Sequence, residues 1–167
     1  MPSMNKSFHH LEQAVDRIEN RFPGVPRQEV ILTRLYYHIM PRLTCYLNEG
    51  MKEYGLNESL WMSLLALYAC PQQTLFPSDI SDTLDSSRTN ATRIVDELVR
   101  NDWATRIPCA EDRRKIRLEL TAKGLALVEE LLPISRASHR ALWQDFDAEE
   151  LQLMEKMMRK LLARLGG

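Results

Sequence analysis

Residues 86–121 read SSRTNATRIVDELVRNDWATRIPCAEDRRKIRLELT, from Ser86 to Thr121, and this stretch decides the fold. Its first part places Ala91, Ile94, Val95 and Leu98 at i, i+3, i+4 and i+7, one apolar stripe of a helix from Arg88 to about Asn101, with Ser86 or Ser87 as N-cap. At 100° per residue, Thr89, Arg93, Asp96 and Arg100 point away from that stripe, flanked by Asn90 and Thr92. The period then changes from 3.6 to two. Trp103–Ile107 predicts a strand, 108–113 a loop, and Lys115–Leu120 a second strand with Ile116, Leu118 and Leu120 on one face. Two short strands joined by a basic loop, directly behind a short helix, a turn and a second helix, make a winged helix-turn-helix.

Working upstream, Ser78 caps an expected two-turn helix, Asp79 to Leu84, with Ile80 and Leu84 inward and Asp85-Ser86 as the turn. Before it, Asn57 is placed to cap a helix bearing Leu60, Trp61, Leu64, Leu65 and Tyr68, which Pro71 ends. A longer helix is expected from about Arg27 to Glu53, closed by Gly55, with Ile31, Leu35, Ile39, Leu43 and Leu47 every four residues. Pro41 lies inside it and should kink or interrupt it near Tyr37 and His38, because proline removes a backbone donor. At the N-terminus Phe8, Leu11, Val15, Ile18 and Phe22 form the stripe of an amphipathic arm that Pro23, Gly24 and Pro26 terminate.

Downstream, Thr121 caps a helix with Leu125, Val128, Leu131 and Leu132, which Pro133 is expected to break before helix resumes through Leu142. Asp147 and Glu150 form a capping box for the last helix. In it Leu151, Met154, Met158, Leu161 and Leu165 follow at alternating spacings of three and four, the seam of a coiled coil, widened by Met157 and Leu162. Together with Ile18 and Phe22, this seam is the expected dimer interface. The fold class is mainly α with a small β wing: a helical arm at 1–26, dimerisation helices at 27–56 and 122–167, and a winged helix-turn-helix lobe at 57–121.

The chemistry of the second helix of the motif points to nucleic acid. Ser87, Arg88, Thr89, Asn90, Thr92 and Arg93 supply short donors and acceptors near a helix N-terminus, the end that enters the major groove, with Asn suited to adenine and Arg to guanine. A merely solvated face would lean on Glu and Lys instead. Arg113, Arg114 and Lys115 at the wing tip add phosphate or minor-groove contacts, while Asp112 shapes the loop. The expected partner is double-stranded DNA. The aromatic and sulfur side chains Tyr36, Tyr37, Met40, Trp61, Met62 and Tyr68, with His38, are candidates for a ligand cleft, each otherwise core or interface.

Net charge is −1, so the electrostatic case is local. Between Ser86 and Arg117 eight basic residues face five acidic ones, which leaves the rest of the chain acidic. Cys45, Cys70 and Cys109 form neither a disulfide framework nor a zinc pattern. No glycine-rich phosphate loop, nucleophile elbow or paired-His motif is present, which argues against an enzyme; no cofactor or metal is expected. The N-terminus lacks a secretory apolar run and no segment is long and apolar enough to span a bilayer, so a cytoplasmic location is expected. Two other readings of the same features are a redox-sensing regulator working through Cys109 or Cys45, and a winged-helix adaptor that presents its wing to another protein.

With these residues in view, the chain resembles the MarR family of bacterial transcriptional regulators. Asp112-Arg113-Arg114, Leu118, Leu120-Thr121 and Gly124 match that family's wing pattern. Ser86 through Ile94, with Asp96-Glu97-Leu98, is similar to the recognition helix of its EmrR-type multidrug-efflux repressor branch. Glu29, Ile31 to Leu35, Asn57-Glu58, Leu142-Trp143 and Arg159-Lys160-Leu161-Leu162 extend the likeness over most of residues 28–165. The resemblance implies a homodimer with intertwined terminal helices and two winged lobes on a palindromic operator. It also implies release by small phenolic or lipophilic effectors that enter a cleft between body and lobe. Pro41 departs from the family's long helix, and Cys45 lies too deep in its helix for the family's peroxide-sensing position.

Overall fold

The structure is a computed structural model that describes residues 6–109 and 115–166. Its elements in chain order are α1 (Lys6–Arg21), α2 (Arg27–Glu49), α3 (Glu58–Ala69), β1 (Thr74–Leu75), α4 (Pro77–Thr83), α5 (Arg88–Arg100), β2 (Ala104–Pro108), β3 (Ile116–Leu120), α6 (Ala122–Leu142) and α7 (Ala148–Leu165). They divide into two compact units, residues 1–58 and 59–167.

In the first unit α1 folds back on α2. Phe8 near the start of α1 meets His38 edge-on at 5.2 Å, while Asp16 further along binds Arg27 at 2.6 Å, so the two helices run antiparallel. Between them lies a small core of Phe8, Val15 and Ile31, flanked by Leu11, Val30 and Leu35. Gly24, at φ 102°, makes the left-handed connection, and its N–H donates to the Glu19 carboxylate at 3.1 Å. The stripe read from the sequence is therefore only half covered: Ile18 and Phe22 remain 51% and 71% exposed.

Pro41 does not interrupt α2, which is one element from Arg27 to Glu49. Pro41 and Tyr37, whose carbonyl loses its donor, both lie on the exposed side of the helix, where solvent can take the place of the missing bond. One turn on, the Arg42 side chain donates to the His38 carbonyl at 2.6 Å. The helix ends earlier than its apolar period suggests. Lys52–Tyr54 form a separate 3-10 turn closed by Gly55 at φ 70°. The first turn of α3 is held by Asn48, whose side-chain oxygen accepts the Glu58 N–H at 2.7 Å.

The second unit is built around α3, in which Leu60, Trp61, Ser63, Leu64 and Leu67 are all buried. Ser63 is tolerated there because its hydroxyl donates to the Ser59 carbonyl at 2.7 Å. Ile80, Ile94, Val95, Leu98, Leu118, Val128 and Leu131 are buried as well, so α4, α5, β3 and α6 all contribute to the core. The three-stranded antiparallel sheet has the order β1-β3-β2. Strand β1 was not expected from the sequence; two residues carry no periodic signal, and it exists only by pairing with Glu119 and Leu118. The first hairpin strand is shifted by one residue from Trp103–Ile107, and the second starts one residue later than Lys115 and ends at Leu120 as expected. Leu118 and Leu120 are buried, but Ile116, which pairs with the exposed Pro108 at the end of the strand, is 45% exposed.

Two helix assignments are corrected. Ser78 is not a cap: α4 starts at Pro77, whose missing N–H costs nothing in the first turn, and the Asp79 carboxylate accepts the Phe76 N–H at 2.7 Å. Pro133 does not break α6, which is continuous from Ala122 to Leu142 with Pro133 and Glu129 on its exposed side. The capping box of α7 is present in full. Asp147 accepts the Glu150 N–H at 2.8 Å, and the Glu150 carboxylate accepts the Asp147 N–H at 3.0 Å.

Candidate nucleic-acid interface

The interface is assembled on α5. Its N-cap is Ser87, whose hydroxyl oxygen accepts the Asn90 N–H at 3.2 Å, and its buried stripe is Ala91, Ile94, Val95 and Leu98. Anchored on that side, the helix exposes Arg88, Thr89, Thr92, Arg93, Asp96 and Arg100 on the other, with Asn90 half-buried at the boundary. The turn into α5 is fixed by a buried serine that the sequence reading passed over. Ser81 donates its hydroxyl to the Ser86 carbonyl at 2.6 Å, and the Ser86 N–H returns a bond to the Ser81 carbonyl at 3.0 Å. Asp85 between them takes φ 45°.

Each exposed side chain retains specific capacity. Ser87 accepts at its cap and keeps its O–H as a donor. Thr92 donates to the Arg88 carbonyl at 2.9 Å and keeps its oxygen as an acceptor. Asn90 accepts from Arg93 at 3.3 Å and keeps its amide N–H groups. Arg93 also pairs with Glu97 at 3.2 Å, and Arg100 approaches the same carboxylate at 3.6 Å. The helix N-terminus adds a partial positive charge to this end.

The wing is tied to α5 and α6 at its base. Arg106 of β2 forms an ion pair with Asp96 of α5. In the strand register Arg106 lies on the same face as Ala104, so the hairpin's core-side face ends in a charge that α5 neutralises. The Thr121 hydroxyl donates to the Asp102 carbonyl at 2.7 Å and accepts the Gly124 N–H at 3.0 Å, joining the end of α5 to the start of α6. Gly124 has no alternative there, since a Cβ would fall 2.1 Å from the Trp103 carbonyl oxygen. The Leu120-Thr121 and Gly124 positions are thus a joint. At the far end the Cys109 N–H donates to the Lys115 carbonyl at 2.9 Å, and Lys115 is exposed. Asp112, Arg113 and Arg114 lie outside the described residues. On the outer face Arg117, counted in the sequence only as charge, stacks on Phe76 at 5.0 Å.

The residues named for effector binding fall in both units. In the first, Tyr37 is 69% exposed and Arg34 lies 5.9 Å from its ring; His38 packs on Phe8, and Tyr36 and Met40 are exposed. In the second, Trp61 is fully enclosed, and Met62 and Tyr68 are half-buried. Of the cysteines, Cys45 is exposed, Cys70 donates to the Thr74 carbonyl at 3.1 Å, and Cys109 is buried; none is in a disulfide.

A helix-turn-helix with a three-stranded wing and a polar, arginine-bearing second helix defines a DNA-binding winged-helix protein. Residues 54–115 match the MarR family. The transcriptional repressor MprA of Escherichia coli K12 is 39% identical over 97% of this chain and 92% of its own length. The chain belongs to the MarR family and is similar to its EmrR-type repressors; these are transcriptional regulators, not enzymes. The fold agrees with that of Sco3205 from Streptomyces coelicolor in complex with DNA, at TM-score 0.80 and 20% identity, covering 86% of this chain and 91% of that one. A MarR mutant from E. coli complexed with operator DNA gives TM-score 0.73 at 23% identity, covering 83% and 99%. No helix among the described residues is long and apolar enough to cross a membrane.

Proposed function

We propose that the protein is a cytoplasmic repressor that binds a palindromic operator as a homodimer. In this reading Ser87, Arg88, Thr89, Asn90, Thr92 and Arg93 enter the major groove. Arg113, Arg114 and Lys115 reach the adjacent minor groove or phosphates, and Asp112 shapes the wing. The observation that carries it is the two-sidedness of α5: four residues wholly buried on one side, and capped, polar, arginine-bearing residues exposed on the other.

The division of labour is a DNA lobe at 57–121 and a dimerisation body at 27–56 and 122–167. Supporting it, α7 is well capped yet has no buried residue in the single chain, with Leu153, Met157, Met158, Leu161, Leu162 and Leu165 all more than 40% exposed. Such a helix needs a partner, and a second copy would supply one. A two-fold dimer must then set its two α5 helices about 34 Å apart to meet successive major grooves. Release by a small lipophilic or phenolic effector rests on the family resemblance. Such a ligand works by favouring the wrong spacing, and needs about 5 kcal/mol of differential affinity to empty the operator.

Selection of bound duplexes from a randomised pool tests the reading. An inverted repeat with half-sites one helical turn apart is expected; enrichment of no duplex, or of an asymmetric one, would contradict it. Addition of phenolic acids to the selected complex should then lower its occupancy.

A further inference from the structure

We propose that Glu97 is a specificity-determining, positioning residue of the DNA interface, which deepens the function proposed above and rests on it. Its carboxylate sits between two arginines of the same helix, 3.2 Å from Arg93 and 3.6 Å from Arg100. Glu97 is 24% exposed, whereas the arginines are 60% and 72% exposed, so the acid is the fixed partner and the arginines are laid against it. Its backbone is pinned as well: the Glu97 carbonyl accepts both the Asn101 N–H at 3.1 Å and the Asn101 side chain at 2.9 Å. On the other side Asn90 takes the second terminal nitrogen of Arg93 at 3.3 Å. The guanidinium is therefore stretched along the helix between residues i−3 and i+4 rather than free to sweep.

An acidic residue on a DNA-reading surface opposes phosphate, so it needs a reason to be there. Asp96 has one in the hairpin, through Arg106. Among the described residues Glu97 pairs only with Arg93 and Arg100 of its own helix, and exposed pairs of this kind add little to stability. What Glu97 does change is the cost of a wrong contact. A phosphate oxygen that approaches Arg93 or Arg100 must displace a carboxylate already bound, so backbone contact at an arbitrary sequence gains little. A phosphate can also offer two oxygens to the fork but brings a negative charge that Glu97 repels, whereas a neutral base edge with two acceptors, such as guanine O6 and N7, replaces both bonds without that repulsion. Discrimination arises from the penalty on the competitor as much as from the favoured contact.

The test compares two duplexes, the one the wild-type protein enriches from a randomised pool and a shuffled duplex of the same composition, across a salt series. Glu97→Gln keeps the shape and removes the charge. It should tighten binding to the shuffled duplex about tenfold and steepen its salt dependence by about one counterion. Affinity for the enriched duplex should change much less, so that the preference falls by at least about fivefold. Glu119→Gln, which neutralises an exposed carboxylate of the same lobe, is the control for charge alone and should leave the preference intact. An unchanged preference in Glu97→Gln, or the same loss in Glu119→Gln, would overturn the inference while leaving the DNA-binding function standing. Failure of the wild-type protein to enrich any duplex would overturn both.

Discussion

At the residue scale, single atoms decide how the interface is held. Gly124 is the sharpest instance, because a methyl group there would lie 2.1 Å from the Trp103 backbone oxygen, and the nearer side chain, Leu120, is itself part of the joint. Gly124→Ala should destabilise the protein by about 2 kcal/mol, read as a drop in thermal midpoint, since the obstacle is backbone that cannot swing aside. An unchanged midpoint would mean that the joint yields freely. Charge acts as locally as volume. Arg27, through its hydrogen bond to Asp16, holds that carboxyl below its ordinary value. A carboxylate with a depressed folded value stabilises the native state above its unfolded titration point, and that contribution is lost as pH falls through the depressed folded value. Titration of Asp16 followed by NMR should therefore begin below the usual carboxylate range, and Arg27→Gln should return it to normal; a normal midpoint in the wild type would remove the tether.

Proline behaves at the scale of the element in a way its residue chemistry alone does not predict. Pro41 and Pro133 each remove one backbone bond, yet α2 and α6 run through them because the vacated carbonyls face outward. Replacing Pro41 by Ala should raise stability by about 1–3 kcal/mol in chemical denaturation, since an exposed interior proline costs about 3 kcal/mol relative to alanine; a loss of stability would show that α2 depends on its proline. Helices and hairpin were legible in the sequence wherever an apolar period lasted three turns or two alternations, as in α5, α7 and β3. The cap at Ser87 and the capping box at Asp147 were legible too, being local chemistry. What stayed hidden depends on distant pairing. Strand β1 exists through β3, Ser81 is a hinge only because the chain returns at Ser86, and the Asp96–Arg106 pair becomes visible once the helix and hairpin are placed.

For the whole molecule, the exposed seam of α7 is the surface that a second copy is proposed to cover. Met158→Glu combined with Leu161→Glu places two charges in that seam and should shift the protein from dimer to monomer in sedimentation analysis. The same variant should bind a selected palindrome far more weakly, because avidity from two half-sites is lost. A dimer that survives both charges would move the interface elsewhere. At this scale the mild net charge of −1 is also resolved, since the positive excess is gathered around α5 and the wing and the remainder of the chain stays acidic. The central claim is that the exposed face of α5 reads DNA. It is tested most directly by footprinting Arg93→Ala against the wild type on the selected duplex, with the oligomeric state measured in parallel: protection should disappear while the dimer persists, and an unchanged footprint would contradict the account.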